Sequence, residues 1–404
     1  MQTSLVSRSR QALASVAALA LLIFLFLACA GARAEPKPVR VGIDAEFGLD
    51  NSTSAQAVEL GMRAAIYEIN RAGGVLGGRP IELVKRDHRS IPARGIRNIE
   101  EFARMTDLVA VFGGRFSPVI IEELPTLTAT RTLFMAPWSS ADGIIDNEMK
   151  PNYVYRLSLR DSLAMPKLLQ TAAKRGLTRV GLLLTNTSWG RSNLFAAERY
   201  AAVNNDVRIV RTAWYNWRDQ TLVAKYQALR SAGAQAVVLV ANDDEAAVLV
   251  REVAALPKKE HVPILSHWGV TGGEFVRQAG PALNQVDFSV IQTFSFFRAD
   301  KARLAGFMRS LAAVSPIRRI EDIAGPVGVA HAYDLMHILA KAIDLAGSTD
   351  RKAVRDALEK VRAHRGLVKD YAPPFTPSRH EALGPRELLM ARYRPDGVLV
   401  PTGD

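Results

Sequence analysis

The chain has 404 residues, 48% hydrophobic and 23% charged, with a net charge of +12 and one cysteine, Cys29. This is globular composition, long enough for two or three domains that each bury a core. One thiol excludes disulfide frameworks, and Cys29 falls in a segment expected to be removed, which excludes cysteine-ligated metals and cysteine nucleophiles as well. Lys and Arg are scattered and not interleaved with aromatics, so the charge excess gives no nucleic-acid signature.

Arg8 and Arg10 precede an uncharged run to Ala32 centred on Leu21-Leu22-Ile23-Phe24-Leu25-Phe26-Leu27. Ala32-Arg33-Ala34 then places small residues at the two positions a signal peptidase reads. Export is expected, with residues 1–34 a signal peptide cleaved after Ala34. Cleavage would remove three arginines and no acid, lowering the charge to +9. Two alternatives stand beside it: an uncleaved anchor, because about 20 apolar residues span a bilayer, and lipidation of Cys29, for which Phe26-Leu27-Ala28-Cys29 is a poor lipobox.

The following chain reads as strand 38–43, helix 57–69, strand 80–86, helix 93–105, strand 108–112, helix 118–128 and strand 133–136. Leu133 to Asp142 reads as a buried strand leaving through Trp138-Ser139-Ser140 into a loop that opens a helix. Hydroxyls and free amides there suit an anionic or polar group. From Tyr153 the alternation restarts: strand 153–157, helix 162–174, strand 179–184, helix 192–202, strand 207–213, helix 222–231, strand 236–241, helix 245–255 and strand 263–266. A β-rich segment, 286–297, precedes helices 301–313, 327–345 and 352–360, and an extended run, 388–400, carries the turn Arg394-Pro395-Asp396-Gly397.

Two alternating runs predict an α/β fold of two doubly wound parallel-sheet lobes. Helices without strands of their own must cover a sheet built elsewhere. The expected lobes are therefore 35–156 plus 297–365, and 157–290 plus 375–404, joined by three hinge crossovers.

In order and spacing, VGIDAEFG, EINRAGGVLGGRPIELVKRD, VAVFGGRFSP, LFMAPWSSAD, NYVYRLSLRD, TSWGRSN and GAQAVVLVANDDEAAVLVREV resemble type I periplasmic solute-binding proteins of the leucine/isoleucine/valine-binding family. The resemblance implies a periplasmic, monomeric receptor that traps a small molecule between its lobes and delivers it to an ABC transporter permease. A module of the same fold that signals to a membrane receptor is the alternative. No cofactor, metal or nucleic acid is implied.

The resemblance also proposes ligand contacts. Ser117 stands where the family serine bonds the ligand carboxylate; the alternative is a helix N-cap, worth about 1 kcal/mol. Ser140 matches a second carboxylate-holding hydroxyl, with Ser139 beside it, and Trp138 stands where a backbone contact is usual. Arg115 departs from the small residues common in its loop and is either solvated or a bidentate partner for an anion. Trp189 falls on a loop where an aromatic ring often covers the ligand, Asn242 replaces a common aromatic, and Phe47 is a further ring in the first loop. Trp268 occupies the place where amino-acid receptors carry an acid for the α-ammonium group. A buried ammonium without that partner is strongly disfavoured, so an aromatic or apolar carboxylate or amide is expected instead.

Catalysis is not expected. His331 and His337 are six apart, which does not put them on one helix face as metal ligands four apart would be. HExxH, G-x-S-x-G and EF-hand patterns do not occur. Asp243-Asp244-Glu245 reads as an acidic helix start, and His267 as a residue shaping the cleft and its best pH-sensitive group.

Overall fold

The computed structural model describes residues 36–403; the predicted signal peptide, the cleavage site after Ala34 and Cys29 lie outside the described residues. The first run of elements is β1 (Val39–Ala45), α1 (Ser54–Arg71), β2 (Ile81–Asp87), α2 (Pro92–Ala103), β3 (Leu108–Gly113), α3 (Ser117–Thr130), β4 (Leu133–Ala136) and β5 (Val154–Arg156). Its strands form one parallel sheet in the order β2-β1-β3-β4-β5. Every residue of β3 and β4 is buried, as continuous apolar runs require when helices cover both faces of a sheet.

The second run is α4 (Asp161–Lys174), β6 (Arg179–Thr185), α5 (Ser188–Val203), β7 (Arg208–Tyr215), α6 (Val223–Ser231), β8 (Ala236–Val240), α7 (Asp243–Ala255), β9 (Ile264–Ser266), α8 (Phe275–Ala279) and β10 (Phe288–Gln292). Its strands repeat the same winding, β7-β6-β8-β9-β10. The chain then supplies α9 (Lys301–Val314), α10 (Pro326–Ala346) and α11 (Arg351–Leu358), which pack back against the first lobe, on α1, β3 and β4. Gly61 permits the α1–α10 approach: a Cβ there would lie 2.1 Å from the Val329 carbonyl oxygen. A small hairpin, β11 (His364–Arg365) and β12 (Asp370–Tyr371), precedes β13 (Leu389–Tyr393) and β14 (Leu399–Pro401), which extend the second sheet antiparallel beyond β10.

The chain thus crosses between the sheets after β5, after β10 and before β13. The last crossing is tied to the first sheet, since Arg156 donates its amide to His380 O at 2.8 Å and accepts from Ala382 N at 2.9 Å. One expectation fails locally: no α-helix follows Ser139-Ser140. Asp142–Ile144 is a single 3-10 turn, and the next helix is α4. Asn147 takes the Ile144 carbonyl and the Met149 amide on its own side chain, in competition with a helical ladder. No helix among the described residues is long and apolar enough to cross a membrane.

Candidate functional site

Each sheet reverses its winding between the first and third strands of its run, β1/β3 and β6/β8. Loops leaving the strand C-termini there diverge and open a crevice. The two crevices face one another, and the loops between them close to a narrow cavity of about 10 Å3, room for about one water. Arg115, Ser117, Trp138, Ser140, Trp189, Asn242 and Trp268 all line it, joined by Phe116 and Trp217, so four of the five tryptophans face one space.

Two expected residues stand elsewhere. The Ser139 hydroxyl is buried and donates to the Gly114 carbonyl at 2.7 Å. Phe47 is half-buried in the first loop, with the Lys85 ammonium 4.9 Å from its ring centre, and does not line the cavity.

The lobes are closed on each other. Trp138 meets Trp268 edge to face at 6.3 Å, and Phe116 meets Trp217 at 5.4 Å. Such pairs contribute about 0.5–1.5 kcal/mol each beyond their burial. Beside them Thr53 N donates to Gly272 O at 2.9 Å, and Asp142 N to Ser192 Oγ at 3.1 Å.

Ser117 is the first residue of α3, whose N-cap position is Phe116, and its side chain caps nothing. Its Oγ accepts from the amides of Ser140 and Ala141, both at 3.2 Å. The amides expected to be free at this loop are therefore already engaged. Arg156, fully buried, holds the other side of the loop through the Ala141 carbonyl at 2.8 Å and the Ser139 carbonyl at 3.4 Å, and pairs with Glu381.

Arg115 is not solvated. Its side chain is 4% exposed, stacks over Phe116 at 4.9 Å, and donates from Nη1 to Asp243 Oδ1 at 2.8 Å and Gly269 O at 3.0 Å. Asp243 and its neighbours begin α7 as expected, yet none caps it. Glu245 accepts the Arg218 amide at 2.9 Å and Asp244 the Gln278 side chain at 2.6 Å, so the three acids tie other elements to the helix start.

Asp161, at the start of α4, was given no role by sequence reasoning. Its Oδ1 accepts from Trp189 Nε1 at 3.3 Å and His267 Nε2 at 3.1 Å, in full burial. Since His267 Nδ1 accepts the Trp268 amide at 2.9 Å, Nε2 carries the ring proton. One carboxylate thus places two cavity tryptophans. In the first lobe, His331 lies 2.9 Å from both the Pro137 carbonyl and Thr293 Oγ1; the carbonyl can only accept, so Nδ1 donates to it and Nε2 of the neutral ring accepts from the Thr293 hydroxyl. Burial pushes the His331 pKa down to about 4.

Trp217 was also missed. It follows the edge strand β7 with no helix start behind it, so neither pattern nor resemblance singles it out. No group of three or more His, Cys, Asp or Glu placed to hold a metal ion occurs among the described residues.

Known proteins give the same picture. "Leu/Ile/Val-binding protein homolog 2" of Brucella abortus is 23% identical over 363 residues, covering 89% of this chain and 92% of that protein. A type 1 periplasmic binding protein from Bordetella pertussis superposes with a TM-score of 0.81 at 22% identity, over 91% of this chain and all of the other. A solute binding protein of an ABC transporter from R. palustris, in complex with 4-hydroxybenzoate, superposes at 0.77 with 16% identity, over 91% of this chain and 96% of the other. The family described as periplasmic binding protein matches residues 38–386, well over half of the sequence, and the chain belongs to that family.

Proposed function

We propose that the chain is the exported receptor of an ABC importer and traps a small aromatic or apolar carboxylate or amide, not a standard α-amino acid, between its lobes. Its family is one of solute-binding proteins and not of enzymes. The observation that carries the ligand class is the sign of the cavity's unmet polar groups. Arg115 Nε, Trp138 Nε1 and Trp217 Nε1 are buried, line the cavity and have no hydrogen-bond partner among the described residues. All three only donate. A ligand that satisfies them brings acceptors.

No acid lines the cavity among the described residues: Asp243 is held by Arg115, and Asp161 lies outside the lining, with Oδ1 taking His267 and Trp189 and its buried Oδ2 without a partner among the described residues. An ammonium group would meet the unmet donors of Arg115, Trp138 and Trp217, with only the neutral oxygens of Asn242 and Ser140 in the lining to accept from it and no charged partner, and buried polar groups without partners are costly. Four indoles supply flat apolar walls for a ring. The R. palustris neighbour with 4-hydroxybenzoate shows that this fold accommodates such a molecule in that protein.

A thermal-shift screen against benzoate, 4-hydroxybenzoate, cyclohexanecarboxylate, benzamide, leucine and valine tests the reading. A true ligand at 100 times its Kd stabilises by about 2.7 kcal/mol. Stabilisation by the aromatic or alicyclic compounds is expected; preference for leucine or valine overturns it.

A further inference from the structure

Arg115 belongs to the first lobe, but the groups that hold it belong to the second. Nη1 donates to Asp243 Oδ1 at 2.8 Å and to the Gly269 carbonyl at 3.0 Å, while Nε, equally buried, has no partner among the described residues. A guanidinium carries five donors in a rigid plane, and Nε and Nη2 form one straight edge matched to the two oxygens of a carboxylate. The edge containing the unmet Nε is that one. Phe116 supports the plane from one side at 4.9 Å, and the 269–273 loop closes on it so tightly that a Cβ on Gly272 would lie 2.4 Å from Nη1. The group is therefore fixed before any ligand arrives.

We propose that Arg115 is the specificity-determining residue of the cavity: its Nε–Nη2 edge takes the ligand's carboxylate while Nη1 keeps Asp243 of the opposite lobe. This rests on the ligand class proposed above and narrows it from carboxylate or amide to carboxylate. A neutral amide offers one oxygen and a competing N–H₂, so it cannot satisfy both donors of the edge. Asp243 already brings one negative charge to the same guanidinium, so a monocarboxylate fits and a dicarboxylate is repelled. Trp138 Nε1 and Trp217 Nε1 then remain for a further acceptor on the ligand. Selection of the anion and closure of the lobes pass through one side chain.

Calorimetric titration of the full chain with benzoate, phthalate, cyclohexanecarboxylate and benzamide tests this in the wild type, Arg115→Lys and Asp243→Asn. Lysine keeps the charge and loses the planar edge. Benzoate affinity is expected to fall at least tenfold in Arg115→Lys, with benzamide changing less than threefold, and phthalate is expected to bind the wild type more weakly than benzoate. Equal effects on benzoate and benzamide, or phthalate binding as tightly as benzoate, overturn the role of Arg115 and leave the broader ligand class standing. A wild type that binds none of the four overturns the ligand class itself. Small-angle scattering supplies a second readout that needs no lysine variant. Ligand-free Asp243→Asn is expected to be more extended than the wild type; equal dimensions overturn the latch.

Discussion

His267 donates its Nε2 proton to Oδ1 of Asp161 across 3.1 Å, a direction fixed by the ring's other nitrogen, which accepts the Trp268 amide. Because the same oxygen takes the Trp189 indole N–H, the carboxylate spans three loops that are distant in sequence. Replacing Asp161 by alanine leaves two buried donors unmet, and stability is expected to fall by about 1–3 kcal/mol. Urea unfolding measures that loss. Tryptophan emission separates positioning from simple destabilisation: it should shift in the folded variant, and an unchanged spectrum would refute a hold on Trp189 and Trp268.

Ser117 gives a second prediction. As the shared acceptor for the Ser140 and Ala141 amides, it is worth more than a helix cap. Ser117→Ala is expected to lose about 2 kcal/mol through the stranded amides, whereas Ser117→Thr keeps the hydroxyl and most of the stability. Chemical denaturation of the pair decides it, and equal losses would refute the assignment.

Acid sensitivity should come in part from His331. Its folded pKa lies near 4, below the ordinary 6.5, because burial disfavours the charged ring. The unfolded chain then binds a proton that the folded chain refuses, so stability is present above pH 6.5 and is lost as pH falls towards 4. By pH 5 the loss from this ring is about 2 kcal/mol. Unfolding free energies measured between pH 7 and 5 should show a shallower slope in His331→Gln. Part of the slope will persist, because His364 is pushed down to about 3 as well.

Glu123 acts with the opposite sign. It is completely buried in the first lobe, Oε1 has no partner among the described residues, and burial followed by the nearby Asp44 carboxylate raises its pKa well above 4.5. The folded state keeps a proton that the unfolded state releases, so stability is greatest below pH 4.5 and is lost as pH rises through the folded value. Glu123→Gln mimics the protonated form. Its Tm should exceed that of the wild type at pH 8, with the gain shrinking towards pH 4.5; a lower Tm at pH 8 would sink the argument.

Periodicity and punctuation carried the fold. The apolar run of β3, the restart at Tyr153 and the strandless helices after β10 are local features, and each appears where pattern placed it within a few residues. Loops at strand C-termini were legible for the same reason, which is why seven expected residues share one cavity. Pairings across the lobes were not legible. Arg115 and Asp243 are far apart in sequence, and nothing about either residue type reveals that burial will join them. Ser117 shows a subtler limit: a serine opening a helix has the same appearance whether its hydroxyl serves its own helix or a neighbouring loop. The missing helix after Ser140 belongs here too, because Asn147 competes through side-chain bonds that a hydrophobic pattern does not record.

Arg156 has a mechanical consequence. One guanidinium holds the carbonyls of Ser139 and Ala141, on either side of the cavity-lining Ser140, and the carboxylate of Glu381, in the last stretch of chain to pass between the lobes. One buried side chain therefore fastens the loop that carries Ser140 to the last crossing between the lobes.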